Sequence, residues 1–397
     1  MITKRDEIQK SEFSDIKLKN RVIKKIIQLL DKNDNFLLVG HKHPDEDCIA
    51  SMVAFGLLAS KMNKTVHVAM SGNIQENFSY LLSICKYNLI NIIKNSSDVP
   101  EKISVVVSLD TPKPDMIDDY GYLHDVIFNA DVIRVEIDHH LEADARYFGD
   151  EEYCLVSGAS STCELIGLLS LKLEKNTKLL AKYQIRELFT RNLVLSIITG
   201  IISDSRMGKY LKTPEERWFY NYFSNLFDEM LAKKTHSGSN NLTSKEEVFK
   251  AIETLSNNEE NCSAYLLKRW KHEEYVDTVI INQDESDELN RLYGNDIFVS
   301  VAKTLTNRLA EENGYLGMVV FYDDSSVSDL VQFRLRRSQA FQNLDLRDIL
   351  LQNNIENGGG HPGAVGFRFG KKTIPDIFEF SKKLIQNISL EVQKTKG

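Results

Sequence analysis

Proline is scarce, cysteine is sparse, positive charge is in deficit, and no long hydrophobic run occurs in these 397 residues. Each shortage removes a class of protein. The five cysteines (Cys48, Cys85, Cys154, Cys163, Cys262) are odd in number, scattered and free of any CxxC pair, which argues against a disulfide framework or a zinc ribbon. Reduced thiols in a cytosol are expected. No apolar stretch approaches the roughly 18 residues that would span a bilayer, so no membrane partner is expected. The opening "MITKRDEIQKSEF" is charged throughout and lacks the apolar core of a signal peptide, pointing to a cytoplasmic protein. Lys and Arg number 49 against 57 Asp and Glu, a net charge of −8. That surface is poorly suited to gripping long nucleic acid. A small phosphorylated molecule is not excluded, because metals and a few arginines can handle its charge locally.

What is present is an ordinary globular composition, 42% hydrophobic and 27% charged, long enough for two or three domains. "LKNRVIKKIIQLL" from Leu18 reads as an amphipathic helix and "FLLVG" after it as a strand. "KTVHVAM", "ISVVVSLD" and "VIRVEIDHH" read as further strands, and "SSTCELIGLLSLKL" as a helix with a capped start. Strands alternating with helices imply a mostly parallel sheet covered on both faces. The stretch from Lys233 to Glu247 is rich in Ser and Asn and reads as a linker, followed by a charged helical connector. A second α/β pattern follows: "YVDTVIINQ", "DIFVSVAK", "YLGMVVFYD", "LVQFRLRRS" and "NGGGHPGAVGFRFG". The expected fold class is therefore α/β, with a domain over 1–232, a linker and connector helix over 233–274, and a smaller α/β domain over 275–397.

Acids mark the ends of the expected strands. "HKHPDEDC" (His41 to Cys48) follows the first strand, "SLD" ends at Asp110, "EIDHH" carries Asp138, His139 and His140, and the apolar run "TGIISD", read as a further strand, ends at Asp204. In an open parallel sheet such ends line one edge and can meet in one site. Asp45 and Asp47 alternate along a segment read as extended and so share one side. Crowded carboxylates repel unless protonated or neutralised by cations. Four aspartates with His41 and His139 suit two Mn²⁺ ions, with Mg²⁺ or Co²⁺ as alternatives. Two such ions about 3.5–4 Å apart can activate a water and stabilise a leaving oxygen at phosphorus.

These motifs resemble the DHH phosphoesterase family, in the DHH–DHHA1 branch of oligoribonucleases, pAp phosphatases and cyclic-di-AMP phosphodiesterases. "HKHPDEDCIAS" is similar to H-x-x-P-D-x-D-A-x-G-S, "SLDTP" to the second motif and "DHH" to the signature. "TGIISDSRMGKY" is similar to G-I-x-x-D-T-G-x-F, and "NGGGHPGAVGF" to the G-G-G-H-x-x-A-x-G of the DHHA1 domain. Five motifs arrive in the family's order between positions 36 and 370. The resemblance implies that His41, Asp45 and Asp110 hold one metal, and Asp47, Asp110, His139 and Asp204 the other. Asp138 orients a histidine through its second nitrogen, and His140 sits near the phosphate. Arg336, Gly358, Gly359, Gly360 and His361 contact the nucleotide end; apart from the resemblance, strand alternation in "FRLRR" puts Arg334 on the same face as Arg336, which suits a phosphate clamp. The chain departs from the pattern at Cys48 and Ala50, where Ala and Gly are usual, at Ser205 and Arg206, where Thr-Gly is common, and at Arg334, where many relatives have serine.

The resemblance implies a metal-dependent phosphodiesterase acting on a short oligoribonucleotide or linear dinucleotide, with pAp as a related monoester. The alternative substrate is a cyclic dinucleotide, and a homodimer is left open. A nucleotide sensor is the rival from another class; its mark would be a missing ligand, and all six expected ligand positions are filled. His43 reads as an exposed or hydrogen-bonded histidine and Cys163 as core.

Overall fold

The computed structural model describes residues 7–70, 78–118, 120–141, 143–234, 244–253, 257–326 and 328–396. Residues 235–243, the middle of the expected linker, lie outside this set. The chain divides into two units, Met1–Thr254 and Leu255–Gly397.

The first unit runs α1 (Ile16–Lys32), β1 (Asn35–Val39), α2 (Glu46–Lys61), β2 (Thr65–Ala69), α3 (Ser79–Tyr87), β3 (Asn91–Ile93), β4 (Val105–Leu109), α4 (Tyr120–Ile127), β5 (Ile133–Asp138), β6 (Cys154–Val156), α5 (Thr162–Glu174), α6 (Thr177–Lys182), α7 (Arg191–Asp204), α8 (Pro214–Lys234) and α9 (Lys245–Glu253). Its six strands form one sheet in the order β3-β2-β1-β4-β5-β6, parallel throughout. Successive β1 side chains enter opposite layers: Phe36 and Leu38 join the core of α1, α2, α5 and α7, while Leu37 and Val39 pack with Leu123 and Ile127 of α4. A strand buried on both faces needs apolar residues at every position, which is why "FLLV" reads as a continuous run. The strand order reverses between β1 and β4. Open α/β sheets bind ligands beyond the C-terminal ends of strands at such a switch point.

Two expectations change. "TGIISD" is no strand but the end of α7, a 14-residue helix. Ten consecutive residues, Leu193 to Ile202, are buried, so no polar face interrupts the run. Its length exceeds that of an ordinary strand. Asp45 and Asp47 also do not alternate along an extended segment. Asp45 is the N-cap of α2 and accepts from the Cys48 amide, while Asp47 lies in the helix's first turn. Short polar side chains cap well because they satisfy amides that lack helical partners.

The second unit comprises α10 (Asn257–Leu267), β7 (Trp270–Lys271), β8 (Val276–Ile280), α11 (Gln283–Tyr293), α12 (Asn295–Asn313), β9 (Leu316–Tyr322), β10 (Leu330–Arg337), α13 (Leu346–Gln352), β11 (Gly358–His361), β12 (Ala364–Gly370) and α14 (Ile377–Lys396). The expected connector thus holds α9 in the first unit and α10 in the second, and "DIFVSVAK" lies within α12. The sheet order is β11-β12-β10-β9-β8-β7. β8 and β9 pair parallel across the α11–α12 crossover, and the remaining pairs are antiparallel. β10 alternates strictly between half-buried and buried positions. Phe333 and Leu335 therefore face the core, and Arg334 and Arg336 share the other face. Among the described residues no helix is long and apolar enough to cross a membrane.

Candidate metal centre

The C-terminal edge of the first sheet gathers the acids and histidines. His41 and Asp45 come from the loop after β1 and the start of α2, Asp110 from the residue after β4, Asp138 from the last position of β5, and His139 and His140 from the turn that follows. Asp204 enters from the end of α7, which packs on α2. Among the described residues three sets of potential ligand atoms lie within 4.8 Å of one another: His41, Cys48 and Asp110; Asp110, His139 and His140; Asp47, His139 and Asp204. Asp110 belongs to two sets and His139 to two.

His41 Nε2 is 3.6 Å from Asp45 Oδ1 and 3.8 Å from Asp110 Oδ2. His139 Nε2 is 3.3 Å from Asp110 Oδ1 and 3.5 Å from Asp204 Oδ2. The other nitrogen of each ring faces main chain: His139 Nδ1 lies 3.3 Å from Ala159 O, and His41 Nδ1 2.9 Å from Lys42 O. A main-chain acceptor at Nδ1 fixes the tautomer and turns Nε2 toward the carboxylates. His140 is held differently. Its Nδ1 donates to Asp138 Oδ1 at 2.8 Å. Asp110 has φ of 54°, a left-handed conformation rare outside glycine and often found where a site demands it. His43, with φ of 55°, is exposed.

Electrostatics follow from crowding. Burial, reinforced by the Asp110 charge, lifts the Asp47 carboxyl to about 7. Burial with the Asp47 charge raises Asp204 well above its usual range. Burial opposes a charged imidazole, yet His139 is raised well above its ordinary value by hydrogen bonding and charge at Asp110. His41 is raised by neighbours including Cys48 and Asp45. Burial pushes the Cys48 thiol up to about 11. Protons here occupy places that divalent cations would neutralise. The oxygen and imidazole donors fit a hard or borderline ion such as Mn²⁺, Mg²⁺ or Co²⁺.

Four supporting residues escape sequence reasoning. Lys10 is buried and pairs with Glu136 at 2.7 Å and Asp138 at 2.5 Å, and donates to Thr111 O at 2.7 Å. It compensates two buried acids and lies beside β5 because Lys10 N bonds to Ala145 O. No motif marks it; its charged surroundings read as solvated. The start of α5 supplies amides to Asp47, from Thr162 at 2.6 Å and Cys163 at 3.0 Å, and Thr162 Oγ1 donates to Asp110 at 2.9 Å. The Ser161 cap was readable in the sequence, but not the acid its helix faces. Gly200 on α7 completes the packing, since a Cβ there would collide with Asp47 Oδ1 and Cys163 Sγ.

In the second unit Arg334 pairs with Gly366 and Arg336 with Ala364 across β10 and β12. The small partners leave room above the sheet for the long side chains. Arg334 Nε is a buried donor with no hydrogen-bond partner among the described residues, and burial lowers its guanidinium. Arg336 Nη1 donates to Leu335 O and Val365 O. Gly358 pairs with Phe367, Gly359 with Gly366 and Gly360 with Val365. A Cβ on Gly360, whose φ is 139°, would collide with Ala364 O, so this glycine has a packing role in the β11–β12 hairpin. His361 pairs with Ala364 along the same hairpin, and its side chain lies outside the described residues.

The doubly wound sheet and the carboxylate–imidazole cluster at its switch point define an α/β protein built around a candidate metal centre. Residues 35–201 match the DHH family, N-terminal domain. Cyclic-di-AMP phosphodiesterase PdeA of Listeria monocytogenes serotype 1/2a (strain 10403S) is 27% identical over 161 residues, 38% of this chain. The match spans only 23% of that protein's length. The crystal structure of an exopolyphosphatase-related protein from Bacteroides fragilis superposes with a TM-score of 0.61 at 16% identity, covering 95% of this chain and 98% of the other. At that identity the likeness establishes the fold.

Two outcomes are expected from these electrostatics. Asp47, Asp204, His41 and His139 all hold protons more tightly folded than unfolded. Stability of the metal-free chain should then fall as pH rises toward and through about 7. Mn²⁺ should raise the thermal midpoint more at about pH 8 than at about pH 6; equal shifts would count against cations replacing these protons. Separately, Lys10→Met strands two buried carboxylates and should cost about 3–5 kcal/mol in denaturant unfolding. A loss below about 1 kcal/mol, the level of an exposed pair, would refute the compensating role.

Proposed function

We propose that this chain is a divalent-metal-dependent phosphodiesterase that hydrolyses short oligoribonucleotides or linear dinucleotides, with pAp as a related monoester. The observation that carries the reading is the gathering of three buried or partly buried carboxylates and two oriented imidazoles around Asp110. Two ions are proposed, Mn²⁺ foremost: one on His41, Asp45 and Asp110, the other on Asp47, Asp110, His139 and Asp204. Bound there, divalent ions supply Lewis-acid neutralisation of the phosphate and an activated water. The chain's own residues do the rest. Asp138, kept ionised by Lys10, holds His140 through Nδ1 and so sets the orientation in which its ring would meet a phosphoryl oxygen. The α5 amides and Thr162 hold Asp47 and Asp110 in place, so little reorganisation is needed as charge develops.

Recognition is proposed for the second unit. Arg334 and Arg336 offer cations on one sheet face, and the unsatisfied Nε of Arg334 supports an anionic acceptor there. Gly358, Gly359, Gly360 and His361 complete the proposed nucleotide contacts. The acidic balance of the chain supports short substrates over long polymers. A second reading, a cyclic dinucleotide as substrate, is favoured by the likeness to a protein named for cyclic di-AMP hydrolysis. A turnover panel of pApA, cyclic di-AMP, pGpG, pAp and a five-residue RNA with Mn²⁺ separates the two. The leading reading requires the linear substrates to show the higher kcat/KM.

Asp110→Ala removes the residue shared by both proposed ions and should abolish turnover while circular dichroism stays unchanged. Activity above about a tenth of the wild type with Mn²⁺ would sink the dinuclear arrangement. For the second unit, His361→Ala or Arg336→Ala should reduce dinucleotide kcat/KM about ten- to a hundred-fold, the worth of one charge-assisted contact. Metal content and hydrolysis of a small chromogenic diester should change only slightly. Equal losses on both substrates would point to a structural role instead.

A further inference from the structure

Cys48 follows Asp47 in the first turn of α2 and is fully buried. Its Sγ lies within 4.8 Å of ligand atoms of His41 and Asp110, as they do of each other. His41 Nε2 is in turn 3.6 Å from Asp45 Oδ1. Ligand atoms sharing one tetrahedral ion at about 2.0–2.3 Å stand roughly 3.3–3.8 Å apart, so the 3.6 and 3.8 Å separations of His41 from Asp45 and Asp110 have the scale of a common shell, and the Cys48 sulfur lies beside that shell. The thiol is held from behind. Gly40 ends the loop side of β1 without a side chain, and a Cβ there would collide with Cys48 Sγ. The sulfur donates one weak bond, 3.9 Å, to the carbonyl of Leu109, the residue before Asp110. Alanine, the residue the first motif usually has at this position, would offer no donor at all.

We propose that Cys48 is a fourth ligand to the ion held by His41, Asp45 and Asp110, and that its sulfur turns this position toward thiophilic divalent ions. The proposal rests on the metal-centre reading above and refines one of its two positions. Carboxylate and imidazole accept Mn²⁺ readily, whereas a thiolate favours Zn²⁺ or Co²⁺. On binding, a metal–sulfur bond forms, the S–H bond breaks and its proton passes to solvent. The two positions of the centre then differ in kind: one purely oxygen and nitrogen, the other with a sulfur donor.

Cobalt reports the ligand directly. The metal-free full chain is titrated with Co²⁺, and the visible d–d bands and the near-ultraviolet sulfur-to-cobalt charge-transfer band are followed. The wild type should show both. Cys48→Ala and Cys48→Ser should keep the d–d bands and lose the charge-transfer band; the serine variant serves if alanine impairs folding. Competition between Zn²⁺ and Mn²⁺ should show Zn²⁺ preference falling by at least about tenfold in either variant, the loss typical of removing even an outer-shell partner. Cobalt d–d bands without charge transfer in the wild type overturn the sulfur ligand and leave the His41–Asp45–Asp110 position standing. A charge-transfer band that persists in both variants assigns the sulfur elsewhere and also overturns it. No cobalt bands at all would remove the metal position and the proposal together.

Discussion

The constraint on which the first unit depends is like charge in a dry place. Asp47 and Asp110 are buried, and Asp204 approaches the same imidazole. Carboxylates so placed cannot all ionise without compensation. The fold meets this with fixed dipoles, imidazoles and retained protons. The α5 amides answer Asp47, Thr162 answers Asp110, and His139 stands between Asp110 and Asp204. Two of these three donors are neutral, and the charge that His139 carries depends on its proton.

That arrangement is possible because of what surrounds it. The reversal of strand order between β1 and β4 opens the sheet edge where His41 and Asp110 emerge. α7 then closes the site from the side, and Gly200 lets the helix approach until Asp47 and Cys163 lie against its backbone. Asp110 accepts a left-handed backbone to reach inward. Burial of α7 on α2 and α5 holds these strained and crowded groups in place, which local propensity alone would not.

Much of this was legible. The buried strands announce themselves as unbroken apolar runs, and the acids at their ends mark one edge. The ligand candidates from the first four motifs, and the cap at Ser161, could be picked out before any coordinates. α7 was misread because complete burial erases the 3.6-residue period that distinguishes a helix. Asp45 and Asp47 were placed on extended chain because the cap that starts α2 begins inside the motif itself. The short strands β3 and β6, three residues each, carry too little pattern to be seen. Lys10 was beyond reach for another reason. It acts on Asp138 across 128 positions, and nothing in a charged N-terminal stretch distinguishes a buried lysine from a solvated one.

Lys10 also clarifies how the site divides its charges. Asp138 and Glu136 receive a covalently tethered cation that no change of medium removes. Asp47, Asp110 and Asp204 receive none, although the same interior buries or crowds them. A lysine among the latter would neutralise them as well, but it would occupy the space an exchangeable ion needs. The fold therefore spends its fixed charge on the acid that orients His140. Asp47, Asp110 and Asp204 are left to amides, a hydroxyl, imidazoles and protons. The network that orients His140 is therefore complete within the chain itself, through Lys10 and Asp138.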